Sequence, residues 1–220
     1  MSKSDYFTEL EDGINILKEL IKKYKTSENT EIELRIGQIQ DNSFIAGLNS
    51  SDFYEKILEK LNSCTEFKKI KNTTEDIISD KYRKTITFNN KKVAKQTVMY
   101  KNTVEKHNLT YTGTPYDIRI SVAREIIVND VKVQKTADSI IRKKERNSFI
   151  YKSDYRIDIT KVTTTQNTVE NVTYELEVEL LNLRSNVSDV YRAHSALLLL
   201  RDSINFCEEI SEDSKLESAD

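Results

Sequence analysis

The stretch Tyr174-Glu175-Leu176-Glu177-Val178-Glu179-Leu180 alternates strictly between acid and aliphatic side chain. Successive side chains of a β-strand point to opposite faces, so a strand here puts three carboxylates on one face and Leu176, Val178 and Leu180 on the other. Glutamate is a poor strand former, and a strand that spends every second position on it needs a reason. The same pattern recurs in Glu31-Ile32-Glu33-Leu34-Arg35-Ile36-Gly37. Neighbouring strands lie about 4.8 Å apart, so two such strands side by side would bring their carboxylates together in a nest. Left uncompensated, the nest repels itself and raises its own pKa values; a hard divalent cation, Mg²⁺ or Mn²⁺, removes that penalty.

Working outward, the chain before the first acidic strand reads as a helix from about Tyr6 to Lys25. Phe7, Leu10, Ile14, Leu17, Leu20, Ile21 and Tyr24 recur at spacings of three and four, and Gly13 weakens the segment without breaking it. Residues 41–47 read as a loop, and Ser51 or Asp52 caps a second helix over 52–62, with Phe53, Ile57, Leu58 and Leu61 on its apolar side. Strands are expected at Phe67 to Lys71 and at Ile77 to Phe88. Asn89-Asn90 turns the latter into a strand from Lys92 to Tyr100. The stretch from Asn102 to Pro115 is ambiguous. Further strands run from Tyr116 to Val128, from Ile140 to Tyr151 and, after a turn at Ser153-Asp154, from Tyr155 to Val162. Residues 163–171 are polar and loop-like. A last helix is expected over 187–210, burying Val190, Tyr191, Ala193, His194, Leu197, Leu198, Ile204 and Phe206, followed by an acidic tail over 211–220.

On these strands the face opposite the aliphatic side chains carries Glu, Arg, Lys, Asp and Thr. The acids are concentrated on the first and last strands and the bases on those between. An open antiparallel sheet with one solvated face tolerates such residues. A closed barrel with a hydrophilic lumen, packed outside by the helices, requires them. A lumen of this kind suits a metal-bound oligophosphate, because the metal bridges phosphate oxygens while Arg and Lys neutralise the remaining charge.

Composition narrows the classes. The 220 residues suit one domain with a sizeable core, and with one Pro and four Gly the chain has few interruptions. A formal net charge of −2 argues against an indiscriminate polyanion binder, so contact with nucleic acid is expected to be local. Cys64 and Cys207 stand alone, and His107 and His194 lack cysteine partners. A disulfide framework and a zinc site are therefore both disfavoured, and the setting expected is reducing and intracellular. The first residues lead into an amphipathic segment with no secretory signal, and no run is long and apolar enough for a membrane span.

Four motifs in register, Glu31-Ile-Glu33-Leu-Arg35-Ile-Gly37, Arg142-Lys-Lys144-Glu-Arg146-Asn-Ser148, Arg156-Ile-Asp158-Ile-Thr160 and Glu175-Leu-Glu177-Val-Glu179, resemble the triphosphate tunnel metalloenzymes. More narrowly they resemble the metal-dependent RNA 5′-triphosphatases of fungi, protozoa and large DNA viruses, and most of all the triphosphatase domain of a mimivirus-like mRNA capping enzyme. The resemblance spans roughly Thr30 to Leu181. It implies an α+β fold in which about eight antiparallel strands close a barrel, the tunnel, with a charged lumen and helices outside. One domain would cover 1–220: an N-terminal helical segment over 1–29, tunnel strands over 30–181 with the helix at 52–62, the C-terminal helix over 187–210 and the tail.

The resemblance also implies roles. Glu33, Glu177 and Glu179 match metal-binding glutamates, with Glu31 and Glu175 as neighbouring acids that complete the site or hold bases. Arg83, Lys144 and Arg146 match phosphate-binding positions, and Arg142, Arg156 and, on a poorly alternating strand, Lys95 join them as basic residues. Asp158 matches an acid that orients those bases, and Glu125 resembles a glutamate that positions the attacking water.

The activity implied is hydrolysis of the γ-phosphate from triphosphate-ended RNA, the first step of mRNA capping, with Mg²⁺ or Mn²⁺ as cofactor and free NTP as a further substrate. A Lys-x-Asp-Gly motif is absent from these residues, so GMP transfer would fall to a guanylyltransferase domain in the same polypeptide or a partner. Neither DNA nor a membrane is implied. If the chain is viral, the place of action would be the host cytoplasm, in a virus factory, or the virion. Two other functions share these features. One is a small-molecule triphosphatase of the same fold, acting on thiamine triphosphate or inorganic triphosphate. Such enzymes carry Glu-x-Glu-x-Lys on the first strand, where this chain has Arg35. The other is a non-enzymatic sensor of phosphate ends.

Overall fold

The computed structural model describes residues 3–48, 50–110, 114–183 and 190–202, with side chains from Phe7 onward. The chain opens with helix α1 (Lys3–Tyr24), followed by strands β1 (Thr30–Gln40) and β2 (Ser43–Ala46) and helix α2 (Ser51–Ser63). Strands β3 (Lys68–Ser79), β4 (Tyr82–Asn89), β5 (Lys92–Leu109), β6 (Asp117–Ile127), β7 (Ile140–Tyr151), β8 (Tyr155–Gln166) and β9 (Val169–Leu180) follow, and then helix α3 over 190–202. The ends of the expected last helix, with Ile204, Phe206, Cys207 and the acidic tail, lie outside the described residues.

Every strand pairing is antiparallel, in the order β2-β1-β6-β5-β4-β3-β7-β8-β9, and β1 also pairs with β9. That last pairing turns eight strands into a closed ring and leaves β2 as a short flap on β1. Closure answers the question the alternation left open: the charged face is a lumen, not a solvated surface. Beyond its pairing with β9, β1 pairs with β2 from Gly37 onward. A Cβ at Gly37 would lie 2.3 Å from the Ile45 carbonyl oxygen, so a side chain there would block the approach of the flap.

The apolar core lies outside the ring. Leu10, Ile14, Leu17 and Leu20 of α1, Tyr54, Ile57 and Leu61 of α2, and Val190, Ala193, Leu197 and Leu198 of α3 pack against the outer faces of β6, β1, β9 and β8. Each fully buried Leu or Ile contributes on the order of 2 kcal/mol, so these three helices hold one half of the ring. On the β3-β4-β5 side the outer face carries far less: β4 has no buried residue, and β5 has only Leu109. Tyr191, expected inside, is 44% exposed.

Several boundaries differ from the sequence expectations. The supposed strand from Ile77 to Phe88 is broken at Asp80, whose φ of 53° starts a turn that separates β3 from β4. Residues 41–47 are not a plain loop: Asp41 and Asn42, both at positive φ, make a two-residue hairpin turn into β2. The turn after β4 uses Asn90 and Lys91, one residue later than expected. The ambiguous Asn102 stretch continues β5 to Leu109, and the polar run 163–171 is strand on both sides of a turn at Asn167 and Thr168. In both places the strands are largely exposed, so no apolar alternation announces them. Ser50, not Ser51 or Asp52, caps α2, its hydroxyl accepting from the Asp52 backbone N–H.

Candidate active site

The ring encloses a cavity of about 840 Å³ lined by charged side chains from all eight of its strands, together with Met99, Ile127 and several threonines. From β1 and β9 come Glu31, Glu33, Arg35, Glu175, Glu177 and Glu179; from β7 and β8 come Arg142, Lys144, Arg146 and Arg156; Asp76, Arg83, Lys101 and Glu125 complete the wall. The direct pairing of β1 with β9 sets Glu33 opposite Glu179 and Arg35 opposite Glu177. The two acidic strands anticipated from the alternation are thus nearest neighbours.

Each acid is held by a base in this structure. Arg35 reaches Glu33 at 3.1 Å and Glu177 at 2.9 Å. Lys101 lies 2.5 Å from Glu31, 3.1 Å from Glu125 and 3.8 Å from Glu33. Arg142 pairs with Glu175 at 2.7 Å, and Arg156 bridges Glu179 at 2.5 Å and Asp158 at 2.9 Å. Asp158, 2% exposed, lies behind the wall, where it also holds Arg146 at 3.1 Å and accepts from the Ser148 hydroxyl at 2.6 Å. Its carboxylate thus contacts two guanidinium groups of the tunnel, Arg146 and Arg156.

A second acid of this kind escaped the sequence reading. Asp76 sits 2.6 Å from Lys144 and 4.0 Å from Arg83, and accepts from Thr85 at 2.7 Å. Burial raises its pKa, but Lys144, Thr85 and Arg83 outweigh that and hold the carboxyl below its ordinary value. Burial lowers the pKa of Lys144, helped by Arg142 and Arg83 and opposed by Asp76. Asp76 fell just outside the strand expected from Ile77, and Lys101 fell in the gap before Asn102. The alternation Asn72, Thr74, Asp76 and Thr97, Met99, Lys101 was the signal available. Lys95, by contrast, is exposed and does not line the tunnel; it faces a separate surface groove.

The donor set fits a hard divalent cation, since the tunnel offers carboxylate oxygens and neither His nor Cys. Among the described residues no three acids are gathered into a ready-made cage. For two of them, burial and neighbouring acids nevertheless outweigh the bases that hold them. Burial first, with Glu31, Asp158 and Glu33 adding to it, pushes Glu179 up to about 8 despite Arg156. Burial likewise raises Glu33, and Glu177 and Glu31 add to the effect against Arg35 and Lys101. Glu177 is held below its usual value because Arg35, Arg146, Lys144 and Lys101 outweigh its burial. A cation near Glu33 and Glu179 would relieve this imbalance.

A closed ring of antiparallel strands around such a lumen defines the triphosphate tunnel fold. A sequence model of the family described as mRNA capping enzyme, beta chain, matches residues 73–195, and the chain belongs to that family of RNA triphosphatases, which are hydrolases. Its fold is similar to that of the S. pombe Pct1 RNA triphosphatase (TM-score 0.69, 18% identity, covering 86% of this chain and 92% of that one). The mimivirus capping enzyme triphosphatase is also similar (TM-score 0.59, 19% identity, 87% and 98% covered). So is the RNA triphosphatase domain of a trifunctional mimivirus mRNA capping enzyme (TM-score 0.59, 20% identity, 88% and 96% covered). No curated protein matches this chain significantly in sequence.

Proposed function

We propose that this protein hydrolyses the γ-phosphate of triphosphate-ended RNA with the help of Mg²⁺ or Mn²⁺, leaving a diphosphate end for capping. The observation that carries this reading is the tunnel wall itself, where acids from β1 and β9 face bases from β7, β8 and β4 across one enclosed space. In this reading Arg83, Lys144 and Arg146 bind the phosphates, with Arg142 and Arg156 beside them, and Asp76 and Asp158 keep those cations aimed inward. Glu33, Glu177 and Glu179 would hold the metal, with Glu31 and Glu175 flanking. Bound there, the ion supplies charge stabilisation for the phosphoryl oxygens.

The chain's own contribution is positional. Glu125, on the wall beside Lys101, would accept a hydrogen bond from the attacking water. Water oxygen bonds to the γ-phosphorus as the bond to the β–γ bridging oxygen breaks, and the Arg and Lys set takes up the charge on the departing diphosphate end. Products are diphosphate-ended RNA and inorganic phosphate. The diphosphate end suits a guanylyltransferase, whether in the same polypeptide or as a partner.

The test is phosphate release from γ-labelled triphosphate-ended RNA, with and without Mg²⁺ or Mn²⁺, alongside Glu177→Ala. Metal-dependent release lost in the variant supports the reading. Release from thiamine triphosphate or inorganic triphosphate but not from RNA would shift it to a small-molecule enzyme. Binding without release under either metal would make the protein a sensor.

A further inference from the structure

We propose that the RNA chain downstream of the triphosphate lies along the helix-free outer face of the β4–β5 hairpin and the groove beside the tunnel rim. The inference rests on the triphosphatase reading and adds where the polynucleotide goes. From Lys81 to Val104 the sequence contains no Asp or Glu, yet it holds Lys81, Arg83, Lys84, Lys91, Lys92, Lys95 and Lys101. In a chain whose formal net charge is −2, this hairpin is a local concentration of positive charge. Arg83 and Lys101 belong to the tunnel.

Three features make the remainder a strand-binding surface. A groove of about 540 Å³ is lined by Lys84, Lys95 and Lys132 with Gln96 and Asn129, and Ile127 lines both this groove and the tunnel, so the two adjoin. On the same hairpin Tyr82 and Tyr100 form an edge-on pair with ring centroids 6.4 Å apart, and the Lys81 ammonium lies 5.4 Å from the Tyr82 ring centre. The helices that cover β6, β1, β9 and β8 contribute no core contact on β4. Lysines around a groove, with aromatic rings on the same hairpin, suit a single-stranded polynucleotide, because the ammonium groups pair with phosphates and the rings stack on bases. A free nucleotide held by its phosphates inside the tunnel has no chain to reach this groove.

The deciding experiment compares the wild-type chain with Lys84→Gln/Lys132→Gln, neither residue lining the tunnel. Steady-state hydrolysis is measured on a triphosphate-ended 12-nucleotide RNA and on ATP over a range of salt. Expected for the double variant is a KM for RNA raised about tenfold, with kcat and both ATP parameters within about twofold of wild type. The salt dependence of log KM for RNA should become shallower by about 1.4, roughly 0.7 for each lost phosphate contact on a single strand. An unchanged KM for RNA, or an equal change for ATP, overturns the inference while leaving the triphosphatase reading intact. Wild-type protein that releases no phosphate from RNA overturns both. A labelled hydroxyl-ended 12-mer should bind wild type more tightly than the variant. If a glutamate decamer competes fully with that RNA, the surface is one for acidic protein segments and the inference fails.

Discussion

Gly13 of α1 and His194 of α3 occupy the same small space: a Cβ built on Gly13 would lie 2.0 Å from His194 Nε2. The imidazole is fully buried in the notch that the missing side chain leaves. A glycine that weakens α1 locally is therefore what lets two helices meet over the barrel.

Helix propensity alone favours Ala over Gly by about 1 kcal/mol, so Gly13→Ala would stabilise an isolated α1. In the folded chain the clash should outweigh this, giving a net loss of about 2 kcal/mol. Urea denaturation checks it. In the His194→Ala background the same Gly13→Ala change should become neutral or stabilising, and additive losses would refute the notch.

His194 also makes stability depend on pH. Burial, aided by Arg201, pushes its pKa from 6.5 down to about 4, so the folded protein keeps the ring neutral while the unfolded chain binds a proton below 6.5. Its stabilising effect is thus complete above 6.5 and is lost as pH falls from there towards 4, a difference of roughly 3 kcal/mol. Unfolding free energies at several pH values should fall more steeply for wild type than for His194→Leu over that window.

Lys101 neutralises Glu31, Glu33 and Glu125 together. Lys101→Met leaves these carboxylates facing one another and should cost about 3 kcal/mol. If the acids accept a divalent cation, added Mn²⁺ should raise the melting temperature of the variant by more than that of wild type. Equal shifts would argue against a cation among these glutamates.

Asp76 and Asp158 hold the bases in place without standing at the centre of the tunnel. Asp76→Asn should keep the fold and raise KM for triphosphate-ended RNA about tenfold or more, because Lys144 and Arg83 lose the charge that aims them. Asp158→Asn should do the same through Arg146 and Arg156. A fall in kcat with KM unchanged would instead show that these acids act on the chemical step.

Inward and outward faces were legible wherever one face of a strand is buried. Leu176, Val178 and Leu180 meet the helices, and Glu175, Glu177 and Glu179 line the tunnel, as the alternation requires. Where both faces are exposed the pattern vanished, which is why the ends of β8 and β9 read as a loop. Lys101 and Asp76 were hidden because the expected strands ended at Tyr100 and began at Ile77, one residue short of each. Lys95 was misleading because its stretch of β5 runs past the end of β6, whose pairing with β5 begins at Met99, so parity no longer decides what it faces.

The amino-acid sequence by itself determined which residues face inward wherever one face of a strand is buried, since period two is a local property of the chain. It also determined the charge of that face, with acids on the outermost strands in sequence and bases between them. Only the tertiary structure decided that β1 closes on β9, that Glu33 stands opposite Glu179, and that Arg35, Lys101 and Arg156 hold the acids. Such pairings depend on the register between strands far apart in sequence. That register is set by ring closure and by the helices packed outside it, and no local pattern carries it.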